Sequence, residues 1–266
     1  MALGKWEYIS VRYESGDYMD CVLYPRYKRF NQPKTRNKKY RVTREIQVKL
    51  NQRNAEMKFT RLVHSNFTPA DIAFHATYGV DRNDVERVRK DIKAFVRKVR
   101  TLHRKLSLEK LKYVYCTEIG DNGRVHIHMI MSGGIERDTL ETIWKQCGGG
   151  YANADRLQFE NDGLRGLCNY MVKRRDFYRR WTPSRNLIKP EPIEQRITHK
   201  EVIQAVKAAQ SSNPHEHFEE LYKEWELTVL PEIYTSELLQ LKYVRFDMRR
   251  KALCVKTKKT HRKADL

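Results

Sequence analysis

Two histidines two residues apart are the part of the sequence most suited to chemistry. His126 and His128 lie in the apolar run 125–131, which predicts a β-strand. Because successive side chains of a strand point to opposite faces, both imidazoles leave the same face, roughly 7 Å apart at the backbone. Imidazole is the commonest metal ligand in proteins. One such histidine would be an ordinary core or surface residue, whereas two on one face form a candidate metal site.

Glu118 is the candidate carboxylate ligand, and its place depends on the turn between two apolar runs. Asn122-Gly123 in that turn is a strong β-hairpin signal. A three-residue loop over 121–123, with the glycine in the left-handed conformation, sets Glu118 opposite His126. A two-residue loop would set it opposite Ile127 instead. We favour the three-residue loop, although Glu118 taken alone would be a solvated charge at a strand end.

Two imidazoles and one carboxylate would form a half-open ligand set with room for water and substrate. Such mixed nitrogen and oxygen ligands suit Mn²⁺, Mg²⁺, Fe²⁺ or Zn²⁺, and the sequence does not choose among them. The five cysteines show no CxxC spacing, which argues against a structural zinc cluster.

The charge of the chain predicts a polyanionic partner. Its 266 residues include 53 Lys+Arg against 33 Asp+Glu, a formal net charge of +20. Nucleic acid is the first expectation and an acidic membrane surface the second. No apolar run is long enough for a membrane span, and the first residues do not resemble a signal peptide. Scattered cysteines fit a reducing compartment, so we expect a cytoplasmic protein with no membrane partner.

Residues 26–44 form a basic stretch without a single acid, and aromatic residues are interleaved with the charges. Arg36, Lys38 and Lys39 are its candidate nucleic-acid contacts, since cations hold phosphates while bases stack on aromatic rings. A solvated face or a disordered arm would explain the same run of charges.

Three regions are predicted along the chain. They are a basic N-terminal segment over 1–44, a nuclease-like domain over 45–190 and a C-terminal helical extension with a late strand and a basic tail over 191–266. Helices are expected at 45–63, 81–106, 138–144, 164–181, 199–210 and 214–226, and strands at 72–78, 113–132 (the hairpin), 151–159 and 243–248. Asp81 or Asn83 is the expected cap of the second helix, and Asp138 begins a capping-box pattern in the third.

Tyr170 is the candidate nucleophile. On the predicted helix from Leu164, Lys173 lies three residues further on and shares a face with it, and Arg174 follows as a fourth-position neighbour. The phenol of tyrosine has a pKa of about 10, and adjacent cations favour its ionised form. A boundary tyrosine beside a solvated basic face is the plainer interpretation, and the upstream hairpin is what makes the pattern notable.

These residues together resemble the HUH endonuclease superfamily, and most closely its phage and plasmid rolling-circle replication proteins, including the filamentous-phage gene II-like group. Phe74 to Tyr78 resembles the first motif, Glu118 to His128 the second, and Tyr170 to Lys173 the third, in the family's order. His75 and Ala76 depart from the first motif. No second tyrosine follows four residues after Tyr170, which disfavours a two-tyrosine mechanism.

The resemblance implies an α+β fold: a central antiparallel sheet flanked by helices, with a ferredoxin/RRM-like core and the metal on one central hairpin. It implies Mg²⁺ or Mn²⁺, single-stranded or hairpin origin DNA, a host helicase and polymerase, and a bacterial cytoplasm. Carried onto this sequence, the metal ligands are Glu118, His126 and His128, and the catalytic residues are Tyr170 and Lys173. The expected DNA contacts are Tyr78, Arg124, Arg174 and Arg175, together with Arg36, Lys38 and Lys39.

Four functions are compatible with this pattern, and the first is favoured. They are a DNA nickase that initiates rolling-circle replication through a 5′-phosphotyrosine, a transposase- or relaxase-like relative, a non-catalytic basic nucleic-acid-binding module, and an Fe(II) oxygenase. The sequence leaves the origin sequence and the oligomeric state open.

Overall fold

The computed structural model of the chain describes most of its residues. These are residues 4–29, 44–78, 84–120, 123–160, 162–173, 179–235 and 241–251.

Within them, the protein is α+β, with two antiparallel sheets and six helices. The strands are β1 (Gly4–Ser15), β2 (Tyr18–Arg29), β3 (Ile72–Thr77), β4 (Tyr113–Ile119), β5 (Val125–Met131), β6 (Ala152–Arg156), β7 (Thr182–Pro183), β8 (Ile193–Ile197), β9 (Trp225–Leu227), β10 (Glu232–Thr235) and β11 (Lys242–Arg250). The helices are α1 (Arg44–His64), α2 (Val85–Lys105), α3 (Arg137–Gln146), α4 (Arg165–Val172), α5 (His199–Ala209) and α6 (Pro214–Leu221). The predicted α+β class is confirmed.

The five-stranded sheet holds all the predicted site strands, in the order β6-β3-β5-β4-β7. One face packs against α2 and α3 through buried residues such as Phe74, Phe95 and Ile127. The other face packs against α1 and α4, where Phe59 and Cys168 are fully buried. The sheet is therefore covered by helices on both faces, which explains why β5 reads as a nearly continuous apolar run.

The six-stranded sheet joins the two ends of the chain. Its order is β10-β11-β2-β1-β8, and β9 pairs with β11 beside this path. The long β1–β2 hairpin, which the sequence analysis did not predict, forms its centre. Helices α5 and α6 cover the sheet over a core that includes Phe218 and Phe246. The proposed boundaries at residues 44 and 190 stay predictions.

Two expected helix caps are wrong. Helix α2 begins at Val85, and its cap is Asp84, whose side chain accepts from the backbone N–H of Glu86. The earlier start with Asp81 or Asn83 as cap falls on residues outside the described part of the chain. Helix α3 begins at Arg137, and its cap residue, Glu136, makes no side-chain hydrogen bond. Asp138 therefore lies inside the first turn, where its charge still suits the helix dipole.

Three predicted elements are shorter than expected. The described part of the 164–181 helix is α4, which ends at Val172, and residues 182–183 form β7 on the open edge of β4. The 214–226 helix ends at Leu221, because Trp225–Leu227 adds a strand to β11. The 151–159 strand is limited to β6, Ala152–Arg156. No helix in the described ranges combines the length and apolar character needed to cross a membrane.

Candidate active site

The register of the β4–β5 hairpin is the one that the three-residue loop predicts. Glu118 pairs with His126, and Cys116 pairs with His128. The backbone N–H of Gly120 donates to the carbonyl of Arg124 at 2.8 Å. Gly123 has a φ of +76°, the left-handed conformation that closes this loop. Both histidines and the glutamate therefore share one face of the sheet, the face that α1 and α4 cover.

A third imidazole lies on the same face, and the sequence analysis missed its role. His75 of β3 pairs with His128, two positions before Thr77, which pairs with His126. Its ring stacks on that of His128 with 4.5 Å between centroids, and its Nε2 lies 3.4 Å from Nδ1 of His126. The alternation of Phe74 and Ala76, both buried in the opposite face, was the signal that could have placed it.

The site is electrostatically tuned towards neutral imidazoles. Nε2 of His128 donates to Oε1 of Glu118 at 3.2 Å. Burial lowers the pKa of His128, and the neighbouring carboxylate only partly opposes this. Burial and then the charges of the two other imidazoles lower the pKa of His75 to about 4. At neutral pH both rings are therefore uncharged, the form in which imidazole binds a metal.

The donor types fit a divalent cation, although the side chains contact one another directly. Two imidazoles and a carboxylate with access from solvent are a known ligand set for such ions. Among the described residues, however, no group of three or more His, Cys, Asp or Glu side chains is arranged to hold a metal. Small rotations of Glu118 and His128 would have to break their mutual hydrogen bond before both could face one ion.

Helix α4 places Tyr170 over this cluster. The phenol ring stands perpendicular to the imidazole of His128, with 5.1 Å between centroids. Tyr170 is 53% exposed, so solvent and a substrate can reach it, while its helix neighbours Cys168 and Met171 are buried. The helical period thus buries one side of α4 and turns the tyrosine towards the histidines.

Both ends of α4 are held by side chains from elsewhere. At its start, the backbone N–H of Leu164 donates to Nε2 of His64 at 2.9 Å, and the ring's Nδ1 donates to the carbonyl of Thr60. Burial lowers the pKa of His64, which keeps that ring neutral and able to accept. At its end, the carbonyl of Val172 accepts from Gln52 of α1 at 3.1 Å. The position of Tyr170 is therefore fixed by α1.

A charged network anchors α4 to the six-stranded sheet as well. Arg165, the first residue of α4, pairs with the buried Asp247 of β11 at 2.6 Å. Asp247 lies directly opposite Asp20 of β2, which is also buried and which accepts two hydrogen bonds from Arg61 of α1. Two adjacent buried carboxylates thus receive guanidinium groups from the two helices that carry and support the tyrosine.

The other expected site residues have different surroundings. Lys173 caps the end of α4 and is exposed, and Arg124 is exposed beside the hairpin loop. Tyr78 is only 1% exposed, its ring packs on Trp144, and its hydroxyl donates to Asp91. This burial does not support a surface contact of the Tyr78 ring with nucleic acid. The remaining expected contacts lie outside the described residues: Arg36, Lys38, Lys39, Arg174 and Arg175.

Comparison with known proteins agrees with the place of this site in the sequence. Residues 73–175 match the family model of the replication-associated proteins of the ORF2 and gene II protein type. This range is less than half of the chain, and it runs from β3 through the hairpin to Tyr170. No curated protein matches the chain, and no solved structure matches it. The match supports a replication-initiator type of family for the segment that carries the candidate site.

Proposed function

We propose that this protein is a site-specific single-strand DNA endonuclease and strand-joining enzyme that initiates rolling-circle replication. The observation that carries the proposal is the position of Tyr170, an exposed phenol 5.1 Å from the ring of His128 at the edge of a histidine–glutamate cluster. The family match over residues 73–175 supports a role in replication.

The proposed step forms a covalent protein–DNA bond. The phenol oxygen of Tyr170 attacks the phosphorus of one phosphodiester, and the bond from that phosphorus to the 3′ oxygen breaks. The phenol loses a proton and the leaving 3′ oxygen gains one, so the products are a free 3′-hydroxyl and a 5′-phosphotyrosine. Because the new bond is again a phosphodiester, a second hydroxyl can reverse the step and rejoin a strand without ATP.

Glu118, His126 and His128 would hold Mg²⁺ or Mn²⁺ in this proposal. When bound, the ion would polarise the phosphate through its non-bridging oxygens. His75 supports the ligands by stacking on His128 and keeping the cluster free of a second positive charge at neutral pH. Lys173, exposed three residues after the tyrosine, would neutralise the phosphate or the phenolate.

Origin DNA, single-stranded or extruded as a hairpin, is the proposed substrate, and a host helicase and polymerase would supply unwinding and synthesis. Arg124 lies exposed beside the site and would contact the DNA backbone. The same role is proposed for Arg174, Arg175 and the basic stretch with Arg36, Lys38 and Lys39. Such contacts would weaken steeply with salt.

The test is covalent trapping on labelled single-stranded oligonucleotides that tile the replicon carrying this gene, with Mn²⁺ present. We expect a denaturant-resistant adduct with one or a few of them. Tyr170→Phe should abolish the adduct and leave DNA binding nearly intact. Tyr151→Phe is the matched control, since Tyr151 is 68% exposed in the same domain and should keep full adduct yield. An adduct at full yield from the Tyr170→Phe protein would contradict the assignment.

One observation favours a second candidate, a non-catalytic nucleic-acid-binding module. The direct hydrogen bond between His128 and Glu118 is what a purely structural pair would also form. The two candidates differ in their response to metal. A nickase forms its adduct only with a divalent ion and loses it in EDTA, whereas the binding module retains DNA equally in both conditions and forms no adduct.

A further inference from the structure

A second basic feature lies away from the histidine cluster, in a groove between β1, α1 and the segment that follows β7. Its volume is about 690 Å³. It is lined by aromatic, basic and small residues, and among its lining residues there is no acid: Tyr13, Lys58, Arg61, Leu62, Trp181, Pro183, Ser184, Arg185, Leu187, Lys189 and Pro190.

The groove carries positive charge that the described part of the protein does not neutralise. Lys58, Arg185 and Lys189 are exposed, and no carboxylate among the described residues pairs with any of them. Arg61 is different, because it is paired with the buried Asp20. Three like charges around one concave surface repel one another, so an anion bound between them would be favoured.

The groove also offers flat aromatic surface between these charges. The indole of Trp181 is half-buried and rests against Phe59 of α1 at 5.2 Å between centroids. The ring of Tyr13 carries the guanidinium of Arg61 at 3.5 Å. Rings interleaved with cations are what single-stranded nucleic acid requires, since bases stack on the rings and phosphates contact the cations.

The groove lies on the same face of the five-stranded sheet as the catalytic cluster. Pro183, which lines it, pairs with Val114 of β4. Val114 and Glu118 are four residues apart on one strand and therefore face the same side, about 13 Å apart along the strand. A few nucleotides would span this distance, at one phosphate per about 3.4 Å of duplex strand.

We propose that this groove binds the single-stranded DNA that flanks the phosphate attacked by Tyr170. Lys58, Arg185 and Lys189 contact its phosphates, and a base stacks on Trp181. The inference rests on the proposed function, since the bound strand is the substrate of that reaction. It adds a binding surface that none of the three sequence motifs contains.

The charge arm of the test measures binding of the full chain to fluorescein-labelled oligodeoxythymidylate by anisotropy, in EDTA so that no cleavage occurs. The triple variant Lys58→Gln/Arg185→Gln/Lys189→Gln should lower the slope of log K against log salt by about 2, from a contribution of about 0.7 per phosphate contact. The matched control removes two lysines and an arginine from the exposed face of α2, as Lys90→Gln/Arg97→Gln/Lys105→Gln, and should keep the slope. Equal slopes in the two triple variants would overturn the proposal.

The stacking arm uses Trp181→Phe, which keeps an aromatic ring against Phe59, and Trp181→Leu, which does not. Trp181→Leu should weaken binding to oligodeoxythymidylate by about fivefold or more and should leave binding of an abasic oligonucleotide unchanged. Trp181→Phe should lie between the two. Equal affinity of the native protein for abasic and thymidylate strands would show a general anion surface and would overturn the proposal.

Failure of this inference can be told from failure of the proposed function. Binding in EDTA does not require Tyr170, so groove variants that weaken binding while no adduct ever forms would leave the groove as a nucleic-acid site and remove only the nicking reaction. A native adduct yield with unchanged binding in the groove variants would remove only the groove.

Discussion

Arg165→Met tests whether the buried charged network holds α4 in place. Arg165 is the first residue of α4, and its partner Asp247 is 1% exposed and lies opposite the equally buried Asp20. Without Arg165, Asp247 keeps the Tyr18 hydroxyl and a more distant guanidinium, that of Arg245, whose Nη2 lies 3.5 Å away. A buried carboxylate that loses its partner shifts its pKa by up to about 3–5 units, at about 1.36 kcal/mol per unit. Because these two groups remain, we expect a loss of about 2–4 kcal/mol in the free energy of unfolding.

The loss should depend on pH, and its sign follows from Asp247. Burial raises the pKa of this carboxyl above its usual value of 3.8, and the neighbouring guanidinium groups oppose that rise. The folded state therefore holds the proton more tightly than the unfolded state, and stability falls as pH rises through the interval between the two pKa values. Removing Arg165 raises the folded pKa further. The destabilisation should then be larger at pH 8 than at pH 5.

Urea unfolding at both pH values measures this effect. The control is Arg137→Met, which breaks an exposed pair with Asp155 at 2.9 Å and should cost no more than about 1 kcal/mol at either pH. A loss in Arg165→Met that equals the control, or that is the same at pH 5 and pH 8, would refute the reasoning.

Three further predictions concern the helix, the histidines and the lysine of the site. Gly163→Ala should lower the free energy of unfolding by more than about 1 kcal/mol, because φ is +68° and the new Cβ would lie 2.3 Å from Nε2 of His64; Gly166→Ala, with open space around it in α4, should be neutral or stabilising in the same urea assay. An NMR titration of metal-free protein should give His75 a pKa near 4, so stability should fall as pH drops from about 6.5 towards 4, and His75→Asn should reduce that fall. Lys173→Gln should slow adduct formation about tenfold, since one charged contact to phosphate is lost, while Lys145→Gln on α3 should not change the rate.

Local chemistry was enough to predict the centre of the site. The Asn-Gly turn and the alternation of β5 determine the register of the hairpin, so Glu118 and His126 could be paired before any coordinates were seen. The helical period of α4 likewise predicted which side Tyr170 would occupy. Each of these inferences concerns residues that are close in sequence, or whose pairing one short turn determines.

The parts that could not be predicted depend on partners distant in the chain. His75 joins the cluster only because β3 pairs with β5 in one register, which no turn sets. The β1–β2 hairpin was hidden by its basic composition, and its strands are completed by β8 and β11 from the far end of the sequence. Helix α4 ends early where Gln52 and Arg180 take its last carbonyl, a contact that periodicity does not encode.

Mass spectrometry of the trapped protein–DNA adduct tests the central claim most directly. After nuclease and protease digestion, the account predicts a 5′-phosphonucleotide on the peptide that contains Tyr170, formed only with a divalent metal and lost when Glu118, His126 or His128 is replaced by alanine. A nucleotide on any other residue, or cleavage of the strand that proceeds without a covalent intermediate, would contradict it.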